Sequence, residues 1–152
     1  MRQKVIDTAQ ELGLEVDVRR LSQTTATVGD AARAMGCGES EIAKSLVFVA
    51  DGDPVLCIAS GSHRVDVGRL AEALDVAEVR QATPDEVRAA TGFPVGGVPP
   101  FGHDLPVVFD ESLLQHQRVY AAGGDGNSLF EVDPRKLLDC TGATAAPVSA
   151  DP

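Results

Sequence analysis

Only three lysines occur in the 152-residue sequence, Lys4, Lys44 and Lys136, and Lys44 is set among apolar residues in the run IAKSLVFV. Two readings fit it. It is an edge lysine whose stem covers the core while its ammonium reaches water, or it is a cation at the start of a central strand, facing a pocket and placed to bind a carbonyl or phosphate oxygen. A second feature is the run FPVGGVPPFGH over residues 93–103. Proline lacks an N–H donor and fixes its own backbone angle, so this run is a structured loop and neither a helix nor a central strand. It is a rigid surface turn, or a loop whose glycines let backbone approach a ligand while prolines hold N–H groups toward a developing oxyanion. Gly97 and Gly102 have the separation of a Walker loop, but His103 and Asp104 stand where Lys and Ser/Thr are required, which argues against a nucleoside triphosphate site.

Other chemistries lack their residues. There is no GxSxG, and Ser60, Gly61, Ser62 and His63 read as a polar strand end. Ser40 lies four residues before Lys44, not three, so an SxxK arrangement is absent. No HExxH or paired-cysteine deaminase pattern is present, and Cys37, Cys57 and Cys140 are too irregularly spaced to group with His63, His103 or His116. The thiols are expected to be inert, His63 and His103 to be surface hydrogen-bonders, and the acidic residues to be solvated. No metal and no cofactor is expected.

The elements that must position these residues follow from periodicity and punctuation. Val5, Ile6, Ala9 and Leu12 mark a helix stopped by Gly13, and Leu14, Val16 and Val18 alternate as a half-buried strand. Thr27 and Asp30 read as a capping box opening a helix that ends at Gly36. A short turn over Ser40 to Ala43 precedes strands over Leu46 to Ala50 and Val55 to Ser60, joined as a hairpin by Asp51, Gly52, Asp53 and Pro54. Val67 to Leu74 is a helix and Ala77 to Val79 a strand. Thr83, Pro84 and Glu86 give N-cap, first-turn proline and capping glutamate for a helix ending at Gly92. Strands follow over Val107 to Phe109, Arg118 to Ala122 and Leu129 to Val132, the last two separated by Gly123, Gly124 and Gly126. Asp133 and Pro134 start a final helix, and the tail from Ala143 is expected to fray. Several strand pairs are joined too closely for helical crossovers, so the sheet is mixed. The fold class is α/β, a single domain over residues 1–145 with a mixed, partly barrel-like sheet flanked by helices, and a flexible tail over 146–152.

A chain of this length forms one core, and its apolar fraction of 43% and charged fraction of 24% are ordinary for a globular domain. No apolar run approaches the roughly 18 residues that cross a bilayer, so a cytoplasmic protein with no membrane contact is expected. The net charge of −10 opposes binding nucleic acid by bulk electrostatics; a nucleic acid could enter only by one end, or be held by a partner.

Four segments, TATVGDAARAMG, EIAKSLVFVA, ATPDEVRAATGFPVGGVPPFGH and AAGG followed by LFEVDPRKLL, give the chain a likeness that spans nearly its whole length. It resembles the YbaK family, also called the prolyl-tRNA synthetase associated domain. The resemblance implies a free-standing hydrolase that removes a small amino acid such as alanine, serine or cysteine from mischarged tRNA-Pro or a related tRNA, with the acceptor end as substrate and a synthetase as a possible escort. By the same resemblance Lys44 is the functional lysine and Gly96 to Pro100 the GxxxP loop, with Gly102 just beyond. Ser60 and Gly61, and Gly123 and Gly124, fall where the family lines its pocket. Ser45 stands where a branch specific for alanine carries asparagine. An aminoacyl ester is already reactive, so such a site must orient water and stabilise an oxyanion. The expected catalytic set is Lys44 with the backbone of Gly96 and Gly97; the expected substrate-binding set is Ser45, Ser60, Gly61, Pro100, Gly102, Gly123 and Gly124. The alternative is a non-catalytic module that captures an aminoacyl or nucleotide end.

Overall fold

The computed structural model describes residues 2–14, 16–21, 27–125 and 127–150. In chain order the elements are α1 (Arg2–Glu11), β1 (Arg19–Arg20), α2 (Val28–Met35), a 3₁₀ turn (Glu39–Glu41), β2 (Ala43–Ala50), β3 (Asp53–Ser60), α3 (Val67–Leu74), β4 (Val79–Gln81) and α4 (Pro84–Thr91). They continue with β5 (Val107–Asp110), a second 3₁₀ turn (Glu111–Gln115), β6 (Val119–Ala122), β7 (Ser128–Val132), α5 (Pro134–Thr141) and β8 (Thr144–Ala146).

Five strands form a sheet in the order β4-β2-β3-β5-β8. Its β2 pairs are antiparallel and its β5 pairs parallel, so the sheet is mixed, as the short connections demand. A second, antiparallel sheet has the order β1-β7-β6. A bridge between Ile42 and Tyr120 links the two. Among the described residues the strands do not close on themselves, so the architecture is two joined sheets and not a closed barrel.

The unbroken apolar run Val55–Ala59 on β3 is explained by burial on both faces. Leu56 and Ile58 turn into one cluster with Phe93, Phe109 and Phe130. Val55, Cys57 and Ala59 turn into another with Leu70 of α3 and Val148. Local punctuation sets the helix ends. Thr83 accepts from Glu86 N while the Glu86 carboxylate accepts from Thr83 N, a complete capping box. Thr27 supplies only half of one, because its hydroxyl accepts from Asp30 N while the Asp30 carboxylate turns to Arg33.

Several expectations are corrected. Leu14, Val16 and Val18 pack on the core without joining a ladder, and β1 starts at Arg19. The hairpin turn is only Asp51 and Gly52, both at positive φ (47° and 89°), leaving Asp53 and Pro54 inside β3. The strand expected over Ala77 to Val79 begins at Val79, because Asp51 Oδ2 and Oδ1 accept from Ala77 N and Glu78 N and hold those residues as a turn. The expected fraying from Ala143 does not occur over the described tail. β8 pairs with β5, Val148 is fully buried, Asp66 N donates to Val148 O, and Ala150 N donates to Arg64 O. Burial of Val148 beside α3 supplies the apolar contact that the sparse polar tail did not advertise. Thr25 and Ala26 of the TATVGD segment, Gly126, and residues 151–152 lie outside the described residues.

Candidate active site

The site is an unfilled stretch of sheet edge. β4 pairs with β2 only at Phe48, Val49 and Ala50, followed by a bond from Ala82 N to Val47 O. The first half of β2 therefore has no β4 neighbour, and a cavity of about 400 Å³ runs along it. That is the size of a small-molecule site. Its walls come from α2 (Val28, Ala31), α4 (Pro84, Val87), the glycine-proline loop (Val95, Gly96, Val98) and the second sheet (Ala122, Leu129). Main-chain groups alternate in direction along a strand. Val47 directs its carbonyl toward β4, so Ser45, two residues earlier in an unbroken register, turns its N–H and C=O toward the uncovered edge.

Lys44 and Ser45 both stand on this wall, and their side chains leave β2 on opposite faces. The Ser45 hydroxyl is buried and has no hydrogen-bond partner among the described residues. A buried hydroxyl left unpaired is costly, so a polar group of a ligand in the cavity would find a hydrogen-bond partner in Ser45. Lys44 is half-buried and its Nζ donates to the His63 carbonyl at 2.7 Å. It is thus a cation tethered at the cavity wall by a main-chain carbonyl. Burial lowers its pKa from the ordinary 10.5, and the Asp110 carboxylate nearby offsets part of that.

The remaining expected residues are distributed more widely. Gly96 is on the wall at φ 84°, a conformation that favours glycine. Gly97 is not on it: its N–H already donates to Pro94 O at 3.0 Å, and its Cα lies so close to Asp125 that an added Cβ would be 3.1 Å from the Asp125 backbone. The Gly97 amide is thus engaged within its own loop. What Gly97 does is let the loop pack directly on the β6–β7 connection. Pro100 is buried, and Gly102 faces Thr8 and Phe93 on the α1 side; neither is on the cavity wall. Gly123 is wedged against Val18 and Ser128, where a Cβ would come within 2.6 Å of Val18 Cγ1. Gly124 holds φ 103° beside it. Gly61 lies just behind the wall, its N–H bonded to Ile42 O and its Cα so tight that a Cβ would stand 2.5 Å from both Glu39 O and Val28 Cγ1. Ser60 is buried, donating its hydroxyl to Ser40 O and its N–H to Asp110.

Three parts of the site are not legible in the sequence. The apolar wall from α2, α4 and β7 is indistinguishable in sequence from ordinary core positions. The acidic residues were read as solvated, yet Asp110 is only 1% exposed, at the end of β5 behind Lys44. Its one signal was position, an acid immediately after the apolar run Val107–Phe109. His63 was read as a surface hydrogen-bonder, and its ring instead lies against Asp110 and Ser112.

Residues 22–140 match the sequence pattern of the aminoacyl-tRNA editing domain. The chain belongs to that family. It is 40% identical over 128 residues, 82% of this chain and 81% of the other, to the uncharacterized protein YwhH of Bacillus subtilis strain 168. It is also 37% identical over 109 residues to the proline–tRNA ligase of Solidesulfovibrio magneticus, the match covering 70% of this chain and 19% of that ligase. Among solved structures, a candidate trans-editing enzyme for prolyl tRNA synthetase superposes with a TM-score of 0.91 at 40% identity, covering 97% of this chain and 96% of the other. The resemblance on which the editing-domain fold was expected is thereby confirmed. Among the described residues no group of His, Cys, Asp or Glu is arranged to hold a metal ion, and no helix is long and apolar enough to cross a membrane.

Proposed function

We propose that this editing domain works in trans, hydrolysing the ester bond between a small amino acid and the 3′ end of tRNA-Pro or a related tRNA. The observation that carries the reading is the cavity itself: lined mostly by apolar residues, flanked by one ammonium, and holding the buried Ser45 hydroxyl, which has no partner among the described residues. Among the described residues its wall contains no Asp, Glu, His or Cys. The wall thus brings no carboxylate, imidazole or thiol to the reaction, which suits an ester reactive enough to need only orientation and charge stabilisation. The Ser45 main chain and hydroxyl, with Gly96, bind the aminoacyl group, and Lys44 supplies positive charge toward the carbonyl oxygen or the terminal phosphate. The ribose hydroxyl beside the ester assists proton transfer. Val28, Ala31 and Val87 limit the side chain that enters. Such a pocket excludes larger groups well and separates neighbours in size poorly, by roughly 10–200-fold per methylene. Alignment of the chain across nearly the full length of a separate trans-editing candidate supports action apart from a synthetase.

The test is incubation with tRNA charged separately with alanine, serine, cysteine and proline, following ester loss beside Lys44→Ala and Ser45→Ala. Loss confined to the smaller amino acids, slowed by Lys44→Ala by about 10²-fold or more, is expected. Full activity of Lys44→Ala overturns the assigned role of the lysine. Saturable binding of every charged tRNA without ester loss overturns the hydrolase.

A further inference from the structure

The geometry points to Asp110 as a positioning residue, one that holds the turn of residues 60–63 so that the His63 carbonyl sets the Lys44 ammonium beside the cavity. This rests on the reading that Lys44 serves ester hydrolysis.

A carboxylate 1% exposed is stable in a fold only when its lone pairs are matched. Those of Asp110 are. Oδ2 accepts from Ser60 N at 3.1 Å and meets His63 Nδ1 at 3.4 Å; Oδ1 accepts from Ser112 N at 3.0 Å and from Ser112 Oγ at 2.7 Å. With the Ser112 proton directed to Oδ1, the 3.2 Å contact between Ser112 Oγ and His63 Nδ1 needs its proton from the ring, which fixes Nδ1 as the donor. Both ends of the turn, Ser60 by its amide and His63 by its ring, are thus tied to one carboxylate. Between them His63 N donates to Ser60 O and Gly61 N to Ile42 O. The carbonyl of a turn so restrained has one direction, and it accepts from Lys44 Nζ.

No ion pair joins Asp110 to Lys44 directly, so the carboxylate acts through the turn and through its field. The field matters because burial disfavours the Lys44 charge and Asp110 favours it. Two other ionisable groups lie beside them, the His63 ring against Asp110 and Cys57, whose thiol burial raises to about 12 and which is therefore neutral. Among these described residues Asp110 is the only carboxylate. The wall of the cavity contains none of Asp110, His63 and Ser112, which separates this role from contact with substrate.

The deciding experiment follows the side-chain ¹³Cε resonances of the three lysines through an alkaline titration in the wild type and in Asp110→Asn, alongside single-turnover deacylation. In Asp110→Asn, Lys44 is expected to titrate at a lower pH than in the wild type while Lys4 and Lys136 do not move, and kcat is expected to fall by about tenfold or more with KM nearly unchanged. In a Lys44→Met background the same Asp110→Asn change is expected to have almost no further effect on kcat, because residues acting through one another are not additive. Ser112→Ala, which keeps the carboxylate and removes one of its donors, shows the same pattern more weakly and serves if Asp110→Asn does not fold. A Lys44 titration unmoved in a folded variant overturns the positioning role whatever the kinetics. So does an equal loss of kcat in both backgrounds, the mark of a merely structural effect. A wild type without deacylase activity refutes the hydrolase reading instead, and the titration still decides whether Asp110 governs Lys44.

Discussion

Lys44 keeps its charge in surroundings that penalise it, and the penalty has a sign that can be measured. Its pKa is lowered from 10.5, first by burial. Below the lowered value the folded chain retains the cost of a buried ammonium; as pH rises from there toward 10.5 the folded lysine loses its proton while the unfolded one keeps it, so this residue's contribution to stability improves across that window. Activity runs the other way. The part of the rate that depends on the ammonium, measured as the difference between wild type and Lys44→Ala at each pH, is expected to decline below pH 10.5. A difference that still rises through that range would show that the proton on Lys44 is dispensable. In the sequence, Lys44 stood out by rarity and by its apolar neighbours. Asp110 showed only its place after an apolar run, since two of its partners, Ser60 and His63, lie about fifty residues away and the third, Ser112, reads as an ordinary turn serine.

At the scale of elements, what was legible was whatever is written locally. The α4 helix carries N-cap, proline and capping glutamate within four residues, and it forms where they say. The hairpin of β2 and β3 is announced by two apolar runs around Asp51 and Gly52. What was hidden depends on partners elsewhere. The tail looked dispensable because Ala143 to Ala150 has neither alternation nor caps, yet Val148 fills a place between β3 and α3. Val148→Ala removes two fully buried methyl groups, and a loss of about 2 kcal/mol is expected, a fall in Tm of roughly 6 °C for a domain of this size. Thermal unfolding of the variant checks it; an unchanged Tm would mean that the tail is merely laid on the surface. Leu14 to Val18 shows the converse, an alternating pattern satisfied by packing alone without a neighbouring strand to complete it.

For the whole molecule the dominant quantity is charge. There are 23 acidic residues against 13 lysines and arginines, and Arg19, Arg33, Arg80, Arg118 and Arg135 are each paired with a carboxylate. The excess of carboxylates opposes the approach of a polyphosphate to the cations that remain. Binding of uncharged tRNA is therefore expected to be weak and only shallowly salt-dependent, with about two phosphates neutralised and about a tenfold loss of affinity between about 50 and 200 mM salt, where a protein holding six to ten phosphates loses about 10³–10⁵. Fluorescence titration across that range measures the slope, and a steep one would reveal a phosphate-binding face that the charge balance conceals.

The cavity is assembled from α2, β2, α4, the loop after it, and the β6–β7 pair, segments spread over a hundred residues. None of them encloses space alone, and no nucleophile or acid–base pair on the wall could act outside that enclosure. A chain that has lost its fold is consequently inert and not indiscriminate. Under the proposed editing function, damage then removes that activity without creating a scavenger of good aminoacyl-tRNA.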